Sequence, residues 1–155
     1  LVLINGTISA GVLTATSAYN VEAGTINANL ANAAGTVPLN KSTVGLVVLN
    51  GTNTYTGETN VNAGTLEVNN GAAIPDTSPV IILAAGTMDG NGVTETIGEL
   101  SGAGNVSLTG GTLTINEVNP TTFSGAINGA AGNVIKTGAA TLTLIGANTF
   151  TGTLS

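Results

Sequence analysis

The chain has 155 residues and a formal net charge of −6, and only 6% of its residues are charged whereas 42% are hydrophobic. It has no Cys and no His, which excludes a disulfide scaffold, metal centres built on those side chains, and catalysis by a Ser–His or Cys–His pair. Its two basic residues, Lys41 and Lys136, are too few to neutralise a phosphate backbone, so nucleic acid is excluded as a partner.

Short strands are expected along the whole chain, because Gly and β-branched residues interrupt every window long enough for a helix. Apolar and polar residues alternate at 65–68, 105–109, 112–115 and 141–145, which is the period of a half-buried strand. Asn-Gly and Asp-Gly pairs mark the turns, and they begin at Asn5, Asn50, Asn70, Asp89, Asn91 and Asn128. The sequence therefore predicts an all-β chain.

The strands belong to repeating units of sequence. A Gly-Thr-apolar triplet recurs, beginning at Gly6, Gly24, Gly35, Gly64, Gly86 and Gly111. Residues 21–26 match residues 61–66 at a distance of 40 positions, and residues 49–57 match residues 144–152 at a distance of 95 positions. Irregular spacing of this kind is typical of coils of roughly 20 residues with loops of variable length.

Such repeats favour a parallel β-solenoid, in which each strand stacks in register on the strand one coil earlier. Inward Leu, Val and Ile then lie on one another, and stacked Asn side chains can form ladders. About 7 coils, with strands about 4.8 Å apart, would be roughly 35 Å long. The alternative, an antiparallel sandwich with Gly-rich hairpins, predicts no long-range identity between turns.

Residues 122–153 contain a Phe-Ser-Gly segment, a Gly-rich turn, Lys-x-Gly, Thr-Leu-x-Leu, and Asn-Thr-aromatic-x-Gly. In this pattern they resemble the passenger-associated transport repeat of bacterial autotransporters. The strand that normally follows, Val-x-x-Gly-x-Leu, is present after the first copy within residues 59–68. The repeat units are roughly 46–70 and 122–155, and their defining residues are Gly51, Asn53, Tyr55, Gly57, Gly64, Lys136, Gly138, Gly146, Asn148, Phe150 and Gly152.

The resemblance implies a fold class: an all-β, right-handed, single-stranded parallel β-helix. Residues 1–155 would form one β-helical segment of a longer passenger. The family implies secretion, with the passenger associated with the outer membrane or released, and a C-terminal β-barrel translocator in the parent chain. Because the repeat is associated with transport and folding of the stalk, we expect a non-enzymatic extracellular stalk or adhesin segment without a cofactor.

Two other functions compete with this interpretation. A self-assembling filament subunit would add copies end to end, since open solenoid ends expose unpaired backbone. A carbohydrate-binding module would need a groove lined by exposed aromatic residues, but Tyr19, Tyr55, Phe123 and Phe150 are expected to pack inside. The expected partners are the chain's own coils or neighbouring copies, together with a host surface or glycan.

Acidic residues are the only conceivable catalysts, and all eight are expected to be solvated outward groups. Asp89 and Asn91 resemble half of a calcium loop, with Glu95 close enough to contribute. A simple turn is favoured there, so no metal site is predicted. Lys136 is expected at an exposed corner, whereas the sequence suggests no role for Lys41.

Overall fold

The computed structural model describes residues 2–155, and within them every regular element is a strand. The strands are short because turns interrupt an alternating pattern of β-branched, Leu and polar residues. In chain order they are β1 (Val2–Leu3), β2 (Thr7–Ile8), β3 (Val12–Ala15), β4 (Tyr19–Val21), β5 (Gly24–Ile26), β6 (Asn29–Asn32), β7 (Leu39–Lys41), β8 (Leu46–Leu49), β9 (Thr59–Val68), β10 (Val80–Asp89), β11 (Thr94–Ile97), β12 (Leu100–Gly102), β13 (Asn105–Ser107), β14 (Thr112–Asn116), β15 (Thr121–Phe123), β16 (Ala126–Asn128), β17 (Asn133–Thr137) and β18 (Leu142–Leu144).

All strand pairs in the described chain are parallel, and they form three stacked faces. Face 1 is the continuous path β1-β4-β7-β9-β10-β12-β15-β18. Face 2 contains β2, β5, β8, β13 and β16, together with the second halves of β9 and β10, which therefore run through the corner between the two faces. Face 3 contains β3-β6 near one end and β11-β14-β17 near the other.

The stacked coils confirm the predicted β-solenoid. Paired residues along face 1 are 18 to 21 positions apart in sequence, as expected for coils of roughly 20 residues. Eight strands stacked on this face are joined by seven ladders, which gives about seven turns. No helix within residues 2–155 has the length and apolar composition that a membrane span requires.

The core is a set of inward columns that run parallel to the solenoid axis. One column on face 2 stacks Val47, Leu66, Met88, Val106 and Ile127, and each of these side chains is fully buried. Each coil covers the apolar side chains of its neighbour, so burial depends on stacking and not on any single coil.

Candidate functional site

The two sequence repeats share several contacts between coils at an offset of 95 positions. Equivalent backbone bonds to a neighbouring coil have the same lengths in both copies: Leu39 N to Glu58 O and Val134 N to Thr153 O at 2.9 Å, and Gly57 N to Val37 O and Gly152 N to Gly132 O at 3.0 Å. The candidate functional site of this chain is therefore the set of stacking contacts that the repeat builds.

The repeats nevertheless lie on different faces of the solenoid. Leu39 begins β7 on face 1, whereas its equivalent Val134 lies in β17 on face 3. The sequence repeat is thus displaced by one face between its two copies. The offset of 95 positions is therefore not a whole number of coils.

Lys41 is the repeat lysine of the first copy, a role that the sequence did not suggest. It is the equivalent of Lys136, and each lysine donates through Nζ to the carbonyl two residues ahead, that of Thr43 or Gly138. Lys41 is fully buried and also donates to Ala63 O in the next coil at 3.0 Å. Burial lowers the pKa of Lys41, although the nearby Glu22 carboxylate opposes this shift.

Lys136 does not occupy the exposed corner expected from the sequence. It lies within β17 at the position that stacks on Ile115, which is an inward position, and it is half-buried. The physical reason is its place in the strand, opposite the inward Ile115, from which its ammonium group donates to Gly138 O at 2.8 Å. The Lys-x-Gly pattern suggested only a turn.

Asn53 supplies hydrogen bonds where the first copy has no regular strand on face 3. Its Oδ1 accepts from Leu30 N in the preceding coil at 2.7 Å, and its Nδ2 donates to Ala73 O in the following coil at 2.6 Å. Asn148 repeats the first contact, accepting from Ile127 N at 2.8 Å. The repeat asparagine therefore replaces a rung of the backbone ladder with its side-chain amide.

Tyr55 is packed inside the solenoid, as predicted, and is only 1% exposed. Its hydroxyl lies 2.7 Å from Thr59 Oγ1, which in turn lies 2.9 Å from Ser78 Oγ. Ser78 closes this buried chain by donating to Gly57 O at 2.9 Å. Burial raises the pKa of Tyr55, so its phenol stays protonated.

The other aromatic side chains also confirm the expected packing. Tyr19 and Phe123 are fully buried, and Phe150 is half-buried against the core. The rings of Tyr19 and Tyr55 meet edge to face with their centroids 6.4 Å apart. Since these are all of the aromatic residues in the chain, none provides the exposed platform that a carbohydrate-binding module would use.

The glycines of the repeat are positions where two coils come too close for a side chain. A Cβ placed on any of six of them would lie between 1.7 and 2.5 Å from a backbone atom, and these are Gly51, Gly57, Gly64, Gly138, Gly146 and Gly152. Such distances are far below van der Waals contact. The glycines of the repeat therefore mark the positions where the backbones of adjacent coils are in closest contact.

The residues considered for a metal do not come together. Asp89 Oδ1 accepts from Asn91 N at 3.0 Å, which forms a turn, and Asn91 Nδ2 donates to Asn69 in the preceding coil. Glu95 instead lies in the interior, where its Oε1 accepts from Ile74 N at 2.9 Å. Within residues 2–155, no group of three acidic side chains is placed to hold a metal ion.

The prediction that all carboxylates face solvent is wrong for two of them. Glu95 is 2% exposed and Glu117 is fully buried. Each accepts a backbone N–H through Oε1, from Ile74 and from Leu100 at 3.1 Å, while its Oε2 has no partner in the described chain. The sequence pattern does not reveal that these two carboxylates complete backbone hydrogen bonds.

Burial raises the pKa of Glu95 to about 7, and the nearby Asp76 carboxylate adds to this effect. The folded protein therefore holds a proton that the unfolded chain releases between about pH 4.5 and pH 7, so stability falls as the pH rises through this range. We expect Glu95→Gln to remove this part of the pH dependence, which amounts to about 3 kcal/mol. Urea unfolding at several pH values measures it, and parallel curves for both proteins would contradict the assignment.

Asparagine ladders run along the outside of the solenoid, as expected for stacked Asn side chains. On face 1, Asn40 donates to Asn20 at 2.9 Å, and Asn60 donates to Asn40 at 3.1 Å. A second ladder runs from Asn27 through Asn50 to Asn69, with amide contacts of 2.7 and 2.9 Å. The exterior is thus polar and ordered while carrying few charges.

Comparison with known proteins matches two segments and one relative. The passenger-associated-transport-repeat family matches residues 39–68 and 134–155, whose starting points differ by the same 95 positions as the equivalent contacts. The chain is 39% identical over 165 residues to the adhesin BmaC autotransporter of Brucella suis biovar 1 (strain 1330). That alignment covers 94% of the chain but 5% of the adhesin, and no solved structure matches.

Proposed function

The chain is an autotransporter passenger segment built on passenger-associated transport repeats, and from this we propose that it is a non-enzymatic stalk segment of an adhesin displayed outside the cell. The observation that carries the proposal is the unbroken parallel ladder of face 1, which links eight strands from β1 to β18. A rod of this kind supplies length and stiffness without a localised site.

The interior contacts support a mechanical role. Asn53, Tyr55 and Lys41 each connect coils or fix a corner by hydrogen bonds shielded from water, where such bonds are strongest. Pulling along the axis must therefore separate a complete coil interface, with its ladders and its apolar columns, before the rod lengthens.

The placement of two of the eight acidic residues removes them as candidate catalysts. Glu95 and Glu117 are bound to backbone amides inside the solenoid, where they have no access to a substrate. Hydrolysis of a sugar needs two carboxylates that face each other across the substrate, with room for it between them. The two buried carboxylates do not meet this requirement.

Two measurements on the purified chain test the proposal. Single-molecule pulling from the two ends should show a series of small force peaks, each the release of one coil of roughly 20 residues. Beads coated with the chain should bind mammalian cells or matrix proteins if the segment itself is adhesive, and remain free if it is only a spacer. A single extension at low force would contradict the stalk function.

The filament subunit is a second candidate, favoured by one observation. The last described coil leaves Leu154 62% exposed and Leu142 and Leu144 half-buried, which is an apolar surface at one end of the rod. Sedimentation velocity over a range of concentrations separates the two functions. A filament subunit would form large species and visible fibres, whereas a stalk segment would remain at 15.0 kDa.

A further inference from the structure

The backbone ladder of face 3 is interrupted in the middle of the rod. Strands β3 and β6 form one sheet and strands β11, β14 and β17 form another, and no strand in the described chain joins the two sheets. Residues 70–78, in the connection from β9 to β10, lie in this gap. Faces 1 and 2 are continuous at the same level, since β9 and β10 pair along eight residues. This coil therefore has two regular faces and a third that is a loop.

Side chains replace the missing ladder on both sides of the loop. In the preceding coil, Asn53 Nδ2 donates to Ala73 O at 2.6 Å. In the following coil, Glu95 Oε1 accepts from Ile74 N at 2.9 Å. Pro75 has no N–H to donate, so a backbone ladder cannot continue past Ile74. The middle of the loop is thus held to the following coil by a carboxyl group.

The surroundings of Glu95 are unfavourable for a negative charge. The side chain is 2% exposed, and its Oε2 has no partner in the described chain. The titratable groups that face it are Asp76 on the loop and Tyr55 in the preceding coil, and neither supplies a positive charge. In the following coil it stacks on Leu113, which is fully buried and not ionisable. An ionised Glu95 is therefore a buried charge without a counter-ion, and admission of water relieves it.

We propose that residues 70–78 form a latch on face 3, which the neutral Glu95 carboxyl holds closed and the ionised carboxylate releases while faces 1 and 2 stay stacked. Opening lets water reach both carboxylate oxygens, and the ladders of β9 and β10 keep the coil in the rod. The device goes beyond the stalk function, because it makes the flexibility of one coil depend on pH.

The direction of the pH response follows from the two states of the latch. Burial raises the pKa of Glu95 in the closed latch to about 7, from an ordinary value of 4.5. In the open latch the carboxyl group is in water and returns towards the ordinary value. The open population therefore increases as the pH rises between these two values, and it levels off above them.

Hydrogen exchange of the full chain, measured by mass spectrometry and corrected for intrinsic rates, tests the latch. The protection of the amides at 71–74 should fall about 50-fold between pH 5 and pH 8. It should also be lower than that of β9 and β10 and unchanged by low concentrations of urea, since local opening exposes little surface. The same urea dependence for the loop and for both strands would overturn the proposal, because the loop would then open only with the whole rod.

Two variants assign the response to one carboxyl group. Glu95→Gln keeps an acceptor for Ile74 N but cannot ionise, so the loop should retain its pH 5 protection up to pH 8. Glu117→Gln is the matched control, since it changes the other fully enclosed carboxylate and should leave the response of the loop unchanged. A response that persists in Glu95→Gln, or disappears in Glu117→Gln, would contradict the assignment. Neither result bears on the stalk function, which rests on face 1.

Discussion

Replacing Gly125 by alanine is expected to lower the free energy of unfolding by about 4 kcal/mol. A Cβ at this position would lie 1.7 Å from Gly104 O in the preceding coil. Gly146 stands in the same relation to Gly125, again at 1.7 Å, so three glycines stack at the corner between faces 1 and 2. The coils cannot separate locally to admit a methyl group without breaking the ladders on both sides.

Gly110→Ala is the matched control for this substitution. Gly110 has a φ of +73°, but a Cβ there would have no atom within 4 Å. Gly110→Ala should lower the free energy of unfolding by about 1 kcal/mol, which is the cost of placing an alanine in the left-handed backbone region. Urea unfolding of both variants measures the difference, and a loss at Gly125 no larger than the loss at Gly110 would contradict the expected cost of the close approach between coils.

The architecture could be predicted from the sequence because its signal is repeated many times. Alternation, turn pairs and matches 40 and 95 positions apart all indicate one parallel solenoid, and the structure has that fold. The residues predicted to define the repeat rest on the same kind of signal, since Gly51 and Asn53 recur as Gly146 and Asn148. Repetition in a sequence indicates which positions the fold requires, even when it does not indicate which atoms those residues contact.

The individual roles of buried polar residues could not be predicted. The role of Lys41 as the repeat lysine was not predicted because Thr43 stands at the position equivalent to Gly138. The first copy therefore lacks the Lys-x-Gly pattern. The 95-residue offset that links Lys41 to Lys136 was the available signal. Glu95 and Glu117 lie outside both repeat units, and an isolated carboxylate gives no sign in the sequence that it will accept a backbone N–H inside a core.

The buried amide of Asn53 is expected to make a large contribution to stability. Asn53→Ala is expected to lower the free energy of unfolding by about 3 kcal/mol, because it leaves Leu30 N–H and Ala73 C=O without partners in a water-free interior. The loss should appear in urea unfolding as a lower midpoint with an unchanged m-value, since the coil stays folded and the same surface is exposed on unfolding.

Asn148→Ala provides the comparison within the same molecule. Asn148 is half-buried; its Oδ1 contacts the preceding coil, whereas its Nδ2 donates within its own coil to Gly146 O at 3.1 Å. Asn148→Ala should therefore lower the free energy of unfolding by about 1 kcal/mol. The difference between the two variants then measures what the following coil contributes through this one amide. Equal losses would place the whole effect in the contact to the preceding coil, and the repeat asparagine would then join two coils rather than three.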